Sequence, residues 1–417
     1  MKSDYLNLTW ISQHWFARTF RALRHRNFRL FWCGQVVSLT GTWMQWVAHS
    51  WLVLQLTNSA FLLGLVSSIG SFPVLIFSLL GGVVADRVNK RLLLIVTQSL
   101  AMLLAFVLAI LTSLGWIQVW QIMLLAFILG VVNAFDHPAR QVFIFEIVGK
   151  EDLLNAIALH SSIFNAARII GPAIAGILVA LIGVAGCFYL NGVSFLAVIA
   201  GLWMIRIDSS LYSSRQASIW DNMREGLSHI RYHRTILILI VTMAVVSIFG
   251  VPYGVLMPVF ARDVLKAGAS GLGFLMAATG TGALIGALTL ATLGNIRRKG
   301  WFLLVGAFSF SISLLLFSFS RSFRFSLICL VGAGWSLITC TATTNTLLQT
   351  LVPDALRGRV MSIFTLMFLG MAPLGSLQAG MVATHLGAPI AVGLGAFICM
   401  GYVLFIFYKF PRLRHLR

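Results

Sequence analysis

The sequence predicts an all-α integral membrane protein with twelve transmembrane helices in two six-helix bundles, and three observations predict it. The first is composition: of 417 residues 59% are hydrophobic and only 10% charged, which would coat a soluble protein in apolar surface. Lipid is the solvent such a chain fits. The second is segment length, because a helix needs roughly 20 apolar residues to cross a hydrocarbon core of ~30 Å and runs of that size recur from end to end. A β-barrel would show short alternating segments instead. The third is where the net charge of +19 sits. With the N-terminus inside, every Lys and Arg except Arg168, Arg262, Lys266, Arg321 and Arg324 falls in the N-terminal arm, an even-numbered loop or the C-terminal tail. That is the positive-inside pattern, and it places both termini in the cytoplasm of a bacterial inner-membrane protein. The charge serves topology and contact with the phospholipid membrane, so no nucleic-acid partner is expected.

In order along the chain, residues 1–27 form a cytoplasmic arm that mixes Trp10, Trp15, Phe16 and Phe20 with Arg18, Arg21, Arg24 and Arg26. This suits an amphipathic helix lying in the headgroup layer, or alternatively a disordered basic arm. No short apolar core with a small-residue cleavage site precedes the first span, so no removable signal peptide is expected. The first bundle, 28–206, comprises predicted spans at 28–54, 60–84, 92–114, 119–139, 154–182 and 185–206. The longest polar stretch, 207–235, carries Asp208, Arg215, Asp221, Arg224, Glu225, Arg231 and Arg234 and forms a cytoplasmic central loop. The second bundle, 236–410, has spans at 236–260, 271–294, 301–320, 325–349, 360–386 and 388–410, before a basic tail at 411–417.

Internal similarity supports two halves. LTNSAFLLGLVSSIG aligns with LKAGASGLGFLMAATG, matching Leu56, Ala60, Leu63 and Gly64 with Leu265, Ala269, Leu272 and Gly273. Asp152 precedes Pro172 by about the distance at which Asp354 precedes Pro373. Two such repeats can rock about a central site and expose it to one side at a time.

Polar residues inside apolar spans mark candidate sites, because lipid does not tolerate them. Gln35, Ser38, Thr42, Gln45 and His49 recur at three- and four-residue intervals and form one stripe on the first span, with Trp43 and Trp46 beside it. The stripe faces either a water-filled cavity or other helices through hydrogen bonds. Arg168 is the one formal charge placed near the bilayer midplane, with Asn165 one turn before it. A charge there costs at least ~2.5 kcal/mol and needs compensation. It either bonds backbone carbonyls or Asp136, or it faces the cavity and attracts an anionic or oxygen-rich substrate. The tenth span holds Thr339, Thr341, Thr343, Thr344, Asn345 and Gln349; threonines can bond their own helical turn, which leaves Asn345 the stronger cavity candidate, with Gln378 in the eleventh span a further one.

Other chemistry is sparse. Cys33, Cys187, Cys329, Cys340 and Cys399 lie in spans without ligand-type spacing, so neither metal nor cofactor is expected. No His, Asp or Cys constellation gathers at one interface as an embedded enzyme would require. None of the eleven carboxylates falls clearly at mid-depth. Asp136, His49 and His160 are the candidate proton carriers.

The loop GGVVADRVNKR, from Gly81 to Arg91, sets a carboxylate and three basic groups beside glycines. It resembles the major facilitator superfamily motif between helices two and three, with Gly82, Asp86, Arg87, Lys90 and Arg91 on the matching positions. The resemblance implies that Asp86 meets the N-terminal dipole of helix eleven near Val360. It also implies that the basic groups pair with a carboxylate at the end of helix four, here Asp136 in FDHPAR. Together these form a latch that holds the outward-facing state. The second half, TLGNIRRKG, keeps Arg297, Arg298 and Lys299 without the Asp, so any latch is asymmetric. NAARIIGPAIAG resembles the Gly-Pro motif of family antiporters, which implies that Gly171, Pro172 and Gly176 bring helices five and eight close together and that transport runs outward. With FDHPAR and EDLLNA, the whole chain looks like the enterobactin-exporter and macrolide-efflux branch of drug:proton antiporters. The intramembrane Arg of that branch's fourth helix is absent from AFILGVVNAF. The expectation is a monomeric, proton-coupled exporter of a small molecule, a siderophore or an antibiotic-like drug; a lysophospholipid flippase of the same fold is the alternative.

Overall fold

The computed structural model describes residues 20–206, 227–294 and 297–416, and every regular element among them is helical. The arm as far as residue 19 and most of the central loop lie outside the described residues. Helix α1 (Arg26–Thr57) ends at Asn58, whose left-handed φ of 49° turns the chain. Ser59 then accepts a hydrogen bond from the Leu62 amide and starts α2 (Ala60–Arg87). Asn89 does the same for α3 (Lys90–Ser113), accepting from Leu92 at 3.1 Å.

The run Val119–Met204 is divided by Gly149 and Gly183, whose φ values of 69° and 75° are backbone that a side chain would strain. They delimit α4 (119–148), α5 (150–182) and α6 (184–204). In the second half follow α7 (Arg234–Val264) with π-helical stretches at Val246–Gly250 and Phe260–Val264, then α8 (Gly268–Leu293) and α9 (Lys299–Phe319). Next come α10 (Phe323–Leu351), α11 (354–386, turning at Gly370 and Met371) and α12 (Ala388–Lys409). By length and hydropathy nine helical segments among the described residues qualify as membrane spans, with Val119–Met204 counted as one and α1 not included.

Several boundaries differ from the sequence expectation, α11 starting at 354 rather than 360 among them, and the largest shift falls between the fourth and fifth helices. The fourth helix was expected to end at 139 and the fifth to begin at 154, yet α4 continues to 148 and α5 starts at 150. Hydropathy falls there because charges enter, but Arg140 pairs with Asp136 one turn back and Glu146 with Lys90, so the helix carries on beyond the apolar run.

Small residues let the helices touch backbone to backbone, as membrane helices do when no hydrophobic driving force separates protein from lipid. A methyl group built on Gly34 would lie 2.8 Å from the Ala197 carbonyl oxygen, and one on Gly201 2.9 Å from that of Leu30, which seats α1 on α6. Contacts of the same kind join the halves. A methyl on Gly380 would lie 2.9 Å from the Ala60 carbonyl oxygen, bringing α11 onto α2, and one on Gly176 would lie 2.9 Å from that of Ser270, bringing α5 onto α8.

The buried apolar clusters reveal an asymmetry between the two ends. At the end that carries Asn58, Gly183 and Gly387, one continuous core takes residues from both halves, among them Leu54, Leu63, Phe188, Phe260, Leu275 and Ala383. At the other end the described residues form two separate cores. One draws only on residues 22–205, such as Phe28, Phe143 and Leu202; the other only on 230–413, such as Leu239, Leu347 and Val360. The molecule is fused at one end and split at the other. A clamp reinforces the fused end: Arg262 on α7 donates to the Asn58 Oδ1 at 2.6 Å and to the Leu54 carbonyl at 3.2 Å, while Asp263 holds the guanidinium by two further bonds.

Candidate transport site

Five helices meet around a cavity of about 120 Å³. Helix α1 contributes Trp43 and Trp46; α5 Arg168 and Pro172; α7 Val251, Tyr253, Gly254 and Met257; α8 Met276 and Thr279; α10 Leu337. Gly171 brings α5 onto α1, since a methyl there would lie 2.6 Å from the Trp43 Cβ. Gly280 seats α8 against the Arg168 backbone, where a methyl would lie 2.9 Å from its carbonyl oxygen. The expected role of Gly171 in the helix five to helix eight contact is thus corrected: it faces α1, and Gly176 with the Pro172 carbonyl faces Gly273.

Arg168 holds its guanidinium carbon 5.8 Å from the Trp43 ring centroid. Trp43 is itself fixed edge-on against Trp46 at 5.9 Å and Phe164 at 5.7 Å. Among the described residues no carboxylate pairs with Arg168 and no carbonyl accepts from it, so the backbone-carbonyl and Asp136 alternatives do not describe this arrangement. A cation over an indole face contributes ~0.5–2 kcal/mol. That falls short of the cost of a formal charge at membrane depth, ~2.5 kcal/mol or more. Arg168 is half-buried, so the remainder falls to whatever fills the cavity, whether water or an anion.

The polar stripe on α1 faces elsewhere. Gln35, buried, accepts from the Arg140 guanidinium on α4, and Gln45 accepts from the Asn191 amide on α6 at 2.6 Å. Thr42 donates to its own helix at the Ser38 carbonyl, and half-buried His49 makes no hydrogen bond to a described residue. Gln35, Thr42, Gln45 and His49 therefore do not line this cavity; Trp43 and Trp46 do, because they point off the stripe. Asn165 donates to the Ser161 carbonyl of its own helix, and Gln378 lines neither cavity. Asn345 lines a second cavity of about 350 Å³, with Thr341, Ala342, Thr346, Phe364 and Phe368.

At the split end the expected charge pairs are rearranged. Asp136 is buried and accepts from Thr97 at 2.8 Å, Gln98 at 2.7 Å and Arg140. Its partner is thus Arg140, one helical turn away, and not the loop between helices two and three. Lys90 meets Glu146 at 3.2 Å, and Arg91 donates to the carbonyls of Leu202 and Trp203 at 2.7 Å each. Asp86 and Arg87 are exposed, and no ion pair joins either to a described residue. Gly82 was expected to pack closely but has open space, whereas a methyl on Gly81 would lie 2.9 Å from the Ala134 carbonyl carbon. Sequence reasoning missed Arg140, although its position four residues after Asp136 is a legible helical pair. It also missed Glu146, Tyr253, Thr279 and the Arg262 clamp, which only tertiary packing assembles.

An all-helical membrane protein whose two halves meet around a central cavity is the class that this fold defines. The chain belongs to the transmembrane secretion effector family of the major facilitator superfamily, which it matches over residues 17–416. It is 27% identical over 361 residues to the staphyloferrin A transporter of Staphylococcus aureus, covering 86% of this chain and 90% of that protein. It is 24% identical to the multidrug efflux pump Tap of Mycolicibacterium fortuitum (89% and 92% covered) and 25% identical to the enterobactin exporter EntS of Shigella flexneri (96% and 97%). Among solved structures, the nucleoside transporter NupG superposes with a TM-score of 0.73 at 12% identity, covering 93% of this chain and 98% of that one. A bacterial homologue of the human lysosomal transporter Spinster, inward-facing and occupied, superposes at 0.72 and 13% identity, covering 94% and 98%. These likenesses establish the fold.

Proposed function

We propose that this protein is a secondary active exporter that carries a small organic anion out of the cytoplasm by alternating access, with a siderophore a better fit than a cationic drug. The observation that carries the reading is Arg168, a cation without an anionic partner among the described residues, lining an aromatic cavity where helices of both halves meet. A cationic amphiphile would be repelled by it; a carboxylate or catecholate would supply the charge that Trp43 does not. The names of two relatives, a staphyloferrin A transporter and an enterobactin exporter, accord with such cargo.

The fused and split ends support an inward-facing reading. The split end is the one with the positive-inside charge, so it is cytoplasmic, the cavity opens inward, and both termini lie in the cytoplasm of a bacterial inner membrane. Twelve crossings follow when the run broken at Gly149 and Gly183 counts as three helices and α1 is added to the apolar segments. The bundles 28–206 and 236–410 then rock about the cavity. Asp86, exposed with the cytoplasmic end apart, would dock on the start of α11 once that end closes. Gly82 gives its loop room to move, and Arg87, Lys90 and Arg91 travel with it. The unit is a monomer, and the coupling ion is a proton taken up at Asp136, His49 or His160.

The test is export from a deletion strain complemented with wild type, Arg168→Lys or Arg168→Ala, screened against siderophores and an antibiotic panel. Arg168→Lys should weaken export of an anionic cargo and Arg168→Ala abolish it, with both variants present in the membrane at wild-type level. Normal export of that cargo by Arg168→Ala sinks the anion-site reading.

A further inference from the structure

The second cavity is chemically unlike the first, and the two are joined along one helix. Leu337 lines the first; Thr341 and Asn345 line the second. Those three positions follow one another at intervals of four on α10 and so share a face. At 1.5 Å per residue, the step from Leu337 to Asn345 is ~12 Å. The second cavity is about 350 Å³, against about 120 Å³ for the first, and its lining contains no charged side chain.

Its hydrogen-bonding groups have a definite polarity. The Asn345 Oδ1 is already taken, accepting from Gln349 at 2.6 Å, while its amide nitrogen meets no described residue and has two hydrogens to donate. Thr341 spends its hydroxyl hydrogen on the Leu337 and Ile338 carbonyls, and Thr346 on the Ala342 carbonyl. Both hydroxyl oxygens keep lone pairs for accepting. A donor nitrogen beside acceptor oxygens is the complement of an uncharged carboxamide, which presents a C=O and an N–H. Phe364 and Phe368, from α11, supply an apolar wall for a ring or chain attached to it.

We infer that this cavity is a second cargo site on the cytoplasmic side, which binds an uncharged amide-bearing portion of a molecule whose anionic head occupies the Arg168 cavity. The inference rests on the anion-site reading and narrows the substrate to elongated organic anions with an amide roughly one cavity spacing, ~12 Å, from the charge. Once the head is bound, the tail docks as an intramolecular event, so the two sites reinforce one another. An anion too short to reach both gains nothing from the second.

The experiment uses the full-length protein in lipid nanodiscs and two synthetic probes, measured by isothermal titration. One is benzoate. The other is benzoate carrying at its para position a flexible chain that ends in an uncharged benzamide and is long enough to span the two cavities. Wild type should bind the long probe at least tenfold more tightly than benzoate. Asn345→Ala and, independently, Phe368→Ala should reduce that ratio to below threefold while leaving benzoate affinity unchanged; two variants on different helices guard against a folding defect in either. Equal affinity of wild type for both probes overturns the second site, as does an undiminished ratio in both variants. Arg168→Ala reports separately on the first site: it should weaken both probes at least tenfold, and failure there condemns the anion-site reading whatever the ratio does.

Discussion

Arg262 and Asn58 meet across the fused end with the guanidinium Nη1 2.6 Å from the Asn58 Oδ1, although 204 residues of chain separate them. Asn58 is available because it caps α1 in the left-handed conformation, which also leaves the Leu54 carbonyl in reach of the same guanidinium. Asp263, adjacent in sequence, fixes the donor by two bonds. The clamp is therefore a contact between halves that exists only while this end is closed.

Removing it should shift the balance between states. The Arg262 side chain is 28% exposed, so solvent screens the contact, and Arg262→Ala is expected to cost the closed end about 1 kcal/mol. That is roughly a fivefold rise in the population open at this end. Spin labels at Thr57→Cys and Ala267→Cys should report it as a larger long-distance fraction. An unchanged distance distribution means that the apolar core alone holds the end shut.

Gly176 sets how closely α5 and α8 approach at the same end. A Cβ there meets the Ser270 backbone, and backbone cannot move aside as a flexible side chain can. Gly176→Leu should therefore keep the fused end from closing and reduce transport at least tenfold in proteoliposomes, with the protein still monodisperse. Gly401→Leu is the control: a methyl there meets nothing within 4 Å, and its rate should match wild type. Equal rates for both variants refute a role for the close approach.

The carboxylates at the split end should behave in opposite ways. Asp86 has no ion pair with a described residue, so Asp86→Asn should change thermal stability by less than ~0.5 kcal/mol. Transport should nonetheless slow if the proposed docking of Asp86 on the start of α11 belongs to the other state. Asp136→Asn leaves the mostly buried Arg140 without its carboxylate, a loss of ~3–5 kcal/mol when one member of a buried pair is removed. Thermal melts in detergent separate the two; a destabilised Asp86→Asn together with an unaffected Asp136→Asn contradicts both assignments.

Most helical segments were legible because lipid forces backbone groups to bond within a helix, so apolar run length locates them; α1, with its polar stripe, falls short of that measure, and the breaks at Gly149 and Gly183 lie inside one continuous helical run. The helix ends were less so: the charges after residue 139 read as loop, but Arg140 pairs with Asp136 and Glu146 with Lys90, which keeps α4 going. The repeat alignment matched Gly64 with Gly273, and both glycines press against the opposite half, one on Gly380 and one on Gly176. Arg168 stood out because a charge inside an apolar run is costly. The stripe on α1 left two readings open, since periodicity says that residues share a face and nothing about which neighbour that face meets. Gln35 and Gln45 there meet Arg140 and Asn191, from helices that no local pattern connects to α1.

That correction yields the sharpest accessibility test. Cys187, Cys329, Cys340 and Cys399 are buried and only Cys33 is exposed, so Cys33→Ser provides a background almost silent to a water-soluble maleimide. In that background Trp43→Cys and Trp46→Cys should label, because both positions line the aromatic cavity, and Trp46 is 44% exposed. Gln35→Cys and Ser38→Cys should resist, since both parent side chains are 3% exposed or less. Each is packed at a spacing where even a methyl group finds no room: a Cβ on neighbouring Gly34 meets the α6 backbone at 2.8 Å, and one on Gly41 meets Asn191 and Ser194. A cargo analogue that fills the Arg168 cavity should then protect Trp43→Cys and leave labelling of Cys33 in the parent protein unchanged. Rapid labelling at 35 and 38 with none at 43 and 46 would restore the stripe as the cavity face and remove the Trp43 and Arg168 site.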